Sequence, residues 1–339
     1  MLAIHRSSSG YSQDWIAYCK AENIPHKVVN CYAADILEQL TGCSGLMWHH
    51  HHTDAKDVVF ARQLLSALEH AGIQVFPDWR TGWHFDDKIG QFYLLQLLQV
   101  PVVPTVIYYE KAVALQWAKT AQFPKVFKLR GGAGSLNVRK VSTEKEARQL
   151  IYTAFGSGFP AYNRWEDLKE NIRRKRMGIG SWLDLAKSIR RLFVATAFAR
   201  IRGRERGYIL FQDFIPGNTY DTRVVTVGNK AFGIRRLVRK GDFRASGSGY
   251  IEYEPEKISL ECVRLAFETS EKLGAQVVAY DFVQDTNGNP LMVEINYGYA
   301  HASYAKCPGY WDKDLHWHQG SFNSTHWMVE DFVHRLDPA

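Results

Sequence analysis

Short apolar runs and helix-period patterns take turns along the first 80 residues. Leu2–His5, Val28–Cys31, Gly45–Trp48 and Gln74–Phe76 read as strands, and Ser12–Glu22, Ala33–Leu40 and Asp54–Ala71 as the helices between them. Ser12 and Asp54 are expected N-caps, and Gly72 is an expected helix stop. This alternation predicts a parallel sheet with right-handed crossovers. The pattern changes at Asp86. A helix over Asp87–Leu98 ends at Pro101 and Pro104. Strands at Thr105–Tyr108 and Lys125–Leu129 flank a helix at Glu110–Thr120, and a glycine-rich loop leads to a strand at Asn137–Val141 and a helix at Thr143–Phe155. Beyond residue 206 come strands at Tyr208–Ile215, Thr222–Val227 and Ala231–Val238, then an amphipathic helix at Ile258–Leu273. A hairpin, Gln276–Gln284 with Pro290–Asn296, turns at Asp285–Asn289, and a last helix covers Thr325–Leu336. The expected fold class is α/β (α+β). The expected domains are 1–85, 86–160, 161–206 and 207–339.

Charge singles out the third of these. Residues 164–206 hold 13 Lys/Arg and 5 Asp/Glu, a net of +8, so against a total of +7 the rest of the chain is −1. The basic balance therefore describes one insertion, and a diffuse nucleic-acid surface is not implied. Two helices broken near Gly178–Gly180 are expected there. Trp165, Trp182, Leu183, Leu185, Ile189, Leu192 and Phe193 are expected to pack that insertion on the body. No run approaches the roughly 20 apolar residues of a membrane span. The N-terminus lacks the apolar core of a secretory signal. Five cysteines without C-x-x-C read as reduced thiols, which places the expected protein in the cytoplasm.

Three constellations carry chemistry. Lys128 precedes Gly131, Gly132, Gly134 and Ser135. Glycines let backbone N–H groups approach a polyanion and a lysine adds charge, although such loops are often plain turns. The spacing is neither a Walker A motif nor a dinucleotide fingerprint. Glu294 and Asn296 are two apart on a strand, hence on one face, and the hairpin brings Asp281 beside them. Three oxygen ligands, two of them anionic, suit Mg²⁺ over the alternative of a solvated outer face. Arg223 and Arg236 lie on neighbouring strands and can fork onto phosphate, although on these residues alone surface arginines are the preferred reading. His49–His52 follows a strand, where alternate residues face opposite ways. Structure or substrate contact is the preferred reading there over a zinc site. His301, His316, His318 and His326, with Tyr297, Tyr299 and Tyr310, could line a pocket or be core and surface residues.

The order of the elements is more specific than any one of them. Asp87-Lys88, the Lys128 loop, Phe211–Ile215, Asp221-x-Arg223, Arg236, Gly241–Arg244, Asp281 and Glu294-x-Asn296 follow one another. Over residues 86–300 this resembles the ATP-grasp superfamily, RimK-like carboxylate–amine ligase branch. The first 80 residues resemble its Rossmann-like pre-ATP-grasp domain, so the expected fold is that domain followed by two α+β lobes clasping ATP. The resemblance implies that Lys88 and Lys128 contact phosphates and that Gly131–Ser135 forms a lid. It implies that Gln212, Asp213, Phe214 and Ile215 hold the adenine, that Asp221 lies by the sugar, and that Ser246 adds a nucleotide contact. Arg223, Arg236 and Arg244 would line the reacting phosphoryl group. Asp281, Glu294 and Asn296 would hold two Mg²⁺, with Mn²⁺ as a substitute.

The implied activity joins a carboxylate to an amine through an acyl phosphate, releasing ADP and phosphate. The acceptor would be an acidic or sugar-linked metabolite, of the kind used in surface-polysaccharide assembly, and related ligases often form homodimers. A phosphotransferase is the alternative, and a nucleotide-regulated binding module a weaker one. Alanine at Asp281 or Glu294 is expected to abolish turnover without unfolding the chain. The chain departs from the branch at Ala245-Ser246, at Tyr297–Ala300 and in the long basic insertion.

Overall fold

Four predicted strands pair in parallel in the order His26–Val29, Leu2–His5, Gly45–Met47, Gln74–Phe76. The structure is a computed structural model and describes residues 1–336 except 8, 133–136, 177–180, 195 and 240. It divides into two units. One comprises residues 1–85, 93–102 and 217–339, the other residues 86–92 and 103–216.

In the first unit the parallel strands are crossed over by the helices Ser12–Ala21 and Ala55–His70. Asp54 caps the second by accepting from the Lys56 and Asp57 N–H groups. The expected cap at Ser12 is corrected. Tyr11 occupies that position, and the Ser12 hydroxyl instead closes the preceding loop by accepting from the Ser7 N–H and donating to the Ser7 carbonyl. The expected helix at Ala33–Leu40 shrinks to Ile36–Gln39.

The same unit holds a seven-stranded sheet. Its path runs Pro290–Asn296, Val277–Gln284, Tyr220–Val227, Lys230–Leu237, Gly309–Asp312, Trp317–Gln319, and Ile251–Glu252 pairs with Lys230–Leu237. Alternation along each strand builds two cores from one sheet. Val224, Val278, Tyr280 and Ile295 pack with Val263 and Ala266 of the Leu260–Leu273 helix. Val225, Phe232, Ile234 and Ala279 pack with Trp15, Met47 and the Ser324–Leu336 helix residues Met328 and Phe332. The hairpin register skips between Asp281 and Phe282, which makes Val293 the residue of a β-bulge: Asp281 pairs with Glu294 and Phe282 with Met292. That extra residue lets Met292 and Ile295, three apart, lie in the same core.

The second unit is an antiparallel sheet in the order Thr105–Tyr108, Ile209–Asp213, Lys125–Lys128, Arg139–Val141. Phe127, Ile209 and Phe211 pack under the helices Lys111–Thr120 and Glu144–Ala154 through Ala114, Ala118 and Ile151. The alternating residues Lys128, Leu210 and Gln212 therefore lie on the opposite face.

The basic insertion forms helices at Arg164–Arg176 and Trp182–Phe193 and a short third at Ala197–Arg202. Its expected burial is corrected. Trp165 is 65%, Trp182 71% and Phe193 82% exposed, and Leu183 and Ile189 are exposed as well. Among the described residues no helix is long and apolar enough to cross a membrane.

Candidate active site

In the first unit, one face of the seven-stranded sheet changes from apolar to charged along its strands. Period 2 places Arg223 in line with Val225, Arg236 with Ile234, and Asp281 with Ala279. The register sets Asp221 opposite Arg236, Arg223 opposite Asp281 and Asp281 opposite Glu294. The result is a chain of ion pairs in which Arg236 and Asp281 are buried and Asp221 and Arg223 half-buried. Arg223 forks onto Asp281 at 2.5 and 2.6 Å, and Arg236 forks onto Asp221 at 2.7 and 2.6 Å. Arg236 also reaches Asp281 at 2.9 Å. Burial works to raise the Asp281 carboxyl. The guanidinium groups of Arg223 and Arg236 overcome it and hold that carboxyl below the usual carboxylate range. Asn296 donates to Glu294 at 3.1 Å.

The sequence thus brought six of its candidates to one sheet face: Asp221, Arg223, Arg236, Asp281, Glu294 and Asn296. Asp281, Glu294 and Asn296 offer only oxygen ligands, from two paired strands. With Asp221 they contribute three negative charges against two arginines, so the donor set fits a hard divalent cation. Arg244 is held by Asp242, with Nη2 to Oδ2 at 2.9 Å, and the Ser246 carbonyl accepts from Arg239 at 3.3 Å.

In the second unit, Lys128 is buried and donates to Gln212 Oε1 at 2.5 Å, while Gln212 donates to Thr105 at 3.2 Å. Asp213 pairs with Lys125, and the Lys140 ammonium sits 4.0 Å from the Phe214 ring centre. Ile215 follows the end of this strand. The start of the glycine loop is anchored by a residue that sequence reading missed. Asp86, 6% exposed, accepts from the Gly132 N–H at 2.7 Å and from Arg202 at 2.8 Å. A side chain at Gly131 would press on that carboxylate. Lys88 donates to the Gly132 carbonyl at 2.9 Å. The signal was there, since Asp86 directly precedes the Asp87-Lys88 pair. Gly134 and Ser135 lie outside the described residues.

His49–His52 follows the Gly45–Met47 strand in the first unit. The His49 ring stacks on Tyr11 at 3.7 Å and its Nδ1 accepts from the Tyr11 N–H. The His50 carbonyl accepts from Tyr297, and Asp57 accepts from the His51 N–H. Tyr11 also exchanges hydrogen bonds with the Tyr299 backbone through its hydroxyl. The stretch is thus part of the packing beneath the Tyr297–Ala300 segment. Among the described residues the one His/Cys/Asp/Glu set close enough to share a metal is Asp312, Asp314 and His316, at an exposed turn. Gly10 has φ +92°, and a Cβ there would strike the His49 ring. Gly10→Ala is expected to cost about 2–3 kcal/mol through backbone strain and overpacking, read as a lowered midpoint in urea unfolding.

Residues 195–306 match the family model of the RimK-like ATP-grasp domain. The fold is that of the ATP-grasp proteins. Nearly the whole chain is similar to an ATP-grasp RimK domain protein from Sphaerobacter thermophilus DSM 20745: 15% identity, 98% of each chain covered, TM-score 0.55. The D-alanine–D-alanine ligase of Bacillus anthracis is similar at 13% identity over 98% of this chain and 97% of its own, TM-score 0.55. The ATP-grasp ligase PsnB, solved with minimal precursor, Mg and ADP, matches at 12% identity over 99% of this chain and 98% of its own, TM-score 0.54. No curated protein matches in sequence. The solved structures that this chain is similar to therefore include ligases.

Proposed function

We propose that this ATP-grasp protein is an ADP-forming ligase that joins a carboxylate to an amine through an acyl phosphate. The observation that carries the reading is the register of the hairpin: Asp281 opposite Glu294, Asn296 two residues on, and Arg223 and Arg236 beside them on the same sheet face. Lys88 and Lys128 hold ATP phosphates, Gly131–Ser135 covers them, and Gln212–Ile215 grips the adenine edge, with Asp221 and Ser246 as further nucleotide contacts. Asp281, Glu294 and Asn296 would hold two Mg²⁺ ions, which Mn²⁺ can replace and which supply charge neutralisation for the triphosphate. Arg223, Arg236 and Arg244 orient the substrate carboxylate and receive the charge that spreads over the transferring phosphoryl group. An oxygen of the carboxylate forms a bond to the γ-phosphorus and ADP departs. The amine then attacks the acyl carbon, loses a proton, and phosphate leaves. No residue need form a covalent intermediate, because positioning and charge supply the acceleration.

The substrate classes in this reading are small or sugar-linked carboxylates and amines. A cytoplasmic setting fits five cysteines that are all unpaired, four of them buried, and a homodimer belongs to the same reading. The test is ADP release from ATP and Mg²⁺ with a panel of amino acids and uronic-acid sugars as acid and amine. Acceptor-dependent ADP and an amide by mass spectrometry are expected. AMP with pyrophosphate overturns the reading, and a stable phosphorylated product replaces it with a phosphotransferase. In that assay Lys128→Ala is expected to raise the KM for ATP about tenfold, the size of one lost charge-assisted contact, with a smaller change in kcat.

A further inference from the structure

The insertion helix Trp182–Phe193 is amphipathic with its apolar stripe turned to solvent. At 100° per residue, Trp182, Ala186, Ile189 and Phe193 fall on one stripe. All four are exposed, and Val194 extends the stripe at its C-terminal end. The other side is the one that is held. Ser188 is buried and donates to the Leu185 carbonyl, Arg191 reaches Asp167 at 3.3 Å and Tyr162 at 3.3 Å, and Arg164 donates to the Leu192 carbonyl at 2.9 Å. Polar contacts dock this helix on its neighbour, so the apolar stripe is left over rather than spent on the core. It is also rimmed by cations. The Lys175 ammonium sits 4.5 Å from the Trp182 ring centre, and Lys187 and Arg190 are exposed beside the stripe. The segment around it carries +8 while the rest of the chain carries −1.

We propose that this helix docks the protein on an anionic phospholipid surface, with Trp182, Ile189 and Phe193 in the acyl–headgroup boundary and Lys175, Lys187 and Arg190 against the headgroup phosphates. Aromatic and aliphatic side chains on one stripe with lysine and arginine at its margin are the division of labour that an interfacial helix needs. A nucleic acid fits less well. Ala186 and Ile189 on the stripe offer no ring on which a base could stack. The charge selects the lipid: a neutral bilayer satisfies the stripe alone, an anionic one satisfies stripe and rim together.

The test is co-sedimentation of the full chain with phosphatidylcholine vesicles, and with vesicles holding about 30 mol% phosphatidylglycerol. Binding to the anionic vesicles is expected to be at least about tenfold stronger and to fall in about 0.5 M salt. Trp182→Ser with Phe193→Ser, and separately Lys187→Glu with Arg190→Glu, are each expected to cut it about tenfold. Every one of these residues is exposed, and an unchanged melting curve confirms that the variants fold. Equal binding to both vesicle types, full binding by either variant, or binding to a polyanionic oligonucleotide with none to the anionic vesicles overturns the proposal.

Discussion

Asp281→Ala is expected to lower ADP formation by about a thousandfold and to destabilise the fold by about 3–5 kcal/mol, whereas Glu294→Gln should lose the same activity with under about 1 kcal/mol of stability. The two acids face each other across one hairpin but sit in different surroundings. Asp281 is 8% exposed and takes both guanidinium groups, so its removal leaves Arg223 without its carboxylate and Arg236 with Asp221 alone. Glu294 is half-buried and accepts from Asn296. The expectation from sequence is that alanine at either acid spares the fold; these contacts lead to a different expectation for Asp281. Urea unfolding beside an ADP assay separates the two effects. Retained turnover in Glu294→Gln would sink the proposed assignment of the metal-holding residues.

The second large effect is acid sensitivity. Burial pushes the His50 imidazole down to about 3, and burial followed by its histidine neighbours holds His49 well below its ordinary value. Between pH 6.5 and 3 the unfolded chain binds these protons and the folded chain refuses them. Stability from the pair is thus complete above about pH 6.5 and is lost as pH falls. At pH 5 His50 alone costs about 2 kcal/mol, and His49 adds in the same direction. The carboxylate contribution of Asp281 disappears only near and below the usual carboxylate range, so it does not enter the window from pH 6.5 to 5; there the lowered His5 acts with the pair and the raised carboxyls of Asp57 and Asp331 act against it. Denaturant unfolding at pH 7.5 and pH 5 measures it, and His50→Asn should remove about 2 kcal/mol of the difference. A free energy flat across that interval would show that the imidazoles become protonated in place.

Much of this was legible in the chain because the strands near its end obey period 2 and the turn between them carries Asn287-Gly288, with Gly288 at φ +84°. That is enough to bring Asp281 to Glu294. It is not enough to reveal the bulge at Val293, because alternation counts residues and an extra one simply shifts the count. Strict alternation from Ile295 would bury Val293 and Leu291, while the structure buries Met292 and Ile295. The Trp182 stripe failed for another reason. Periodicity says that a helix has an apolar face, and it says nothing of what that face meets. Asp86 was missed although it adjoins the Asp87-Lys88 pair, because its partners, the Gly132 N–H and Arg202, lie 46 and 116 residues away and neither spacing marks a motif. The strands Gly309–Asp312 and Trp317–Gln319 were missed because they are short and dense in His and Trp.

The pairing of Asp281 with two arginines has a consequence for the order of events in the proposed reaction. While Arg223 and Arg236 keep both carboxylate oxygens engaged, that group is a poor host for a bare cation. The guanidiniums can let go only when another anion of comparable charge takes them, and a triphosphate is such an anion. In the proposed reaction the arginines would act as place-holders, and metal and nucleotide would enter as a single guest.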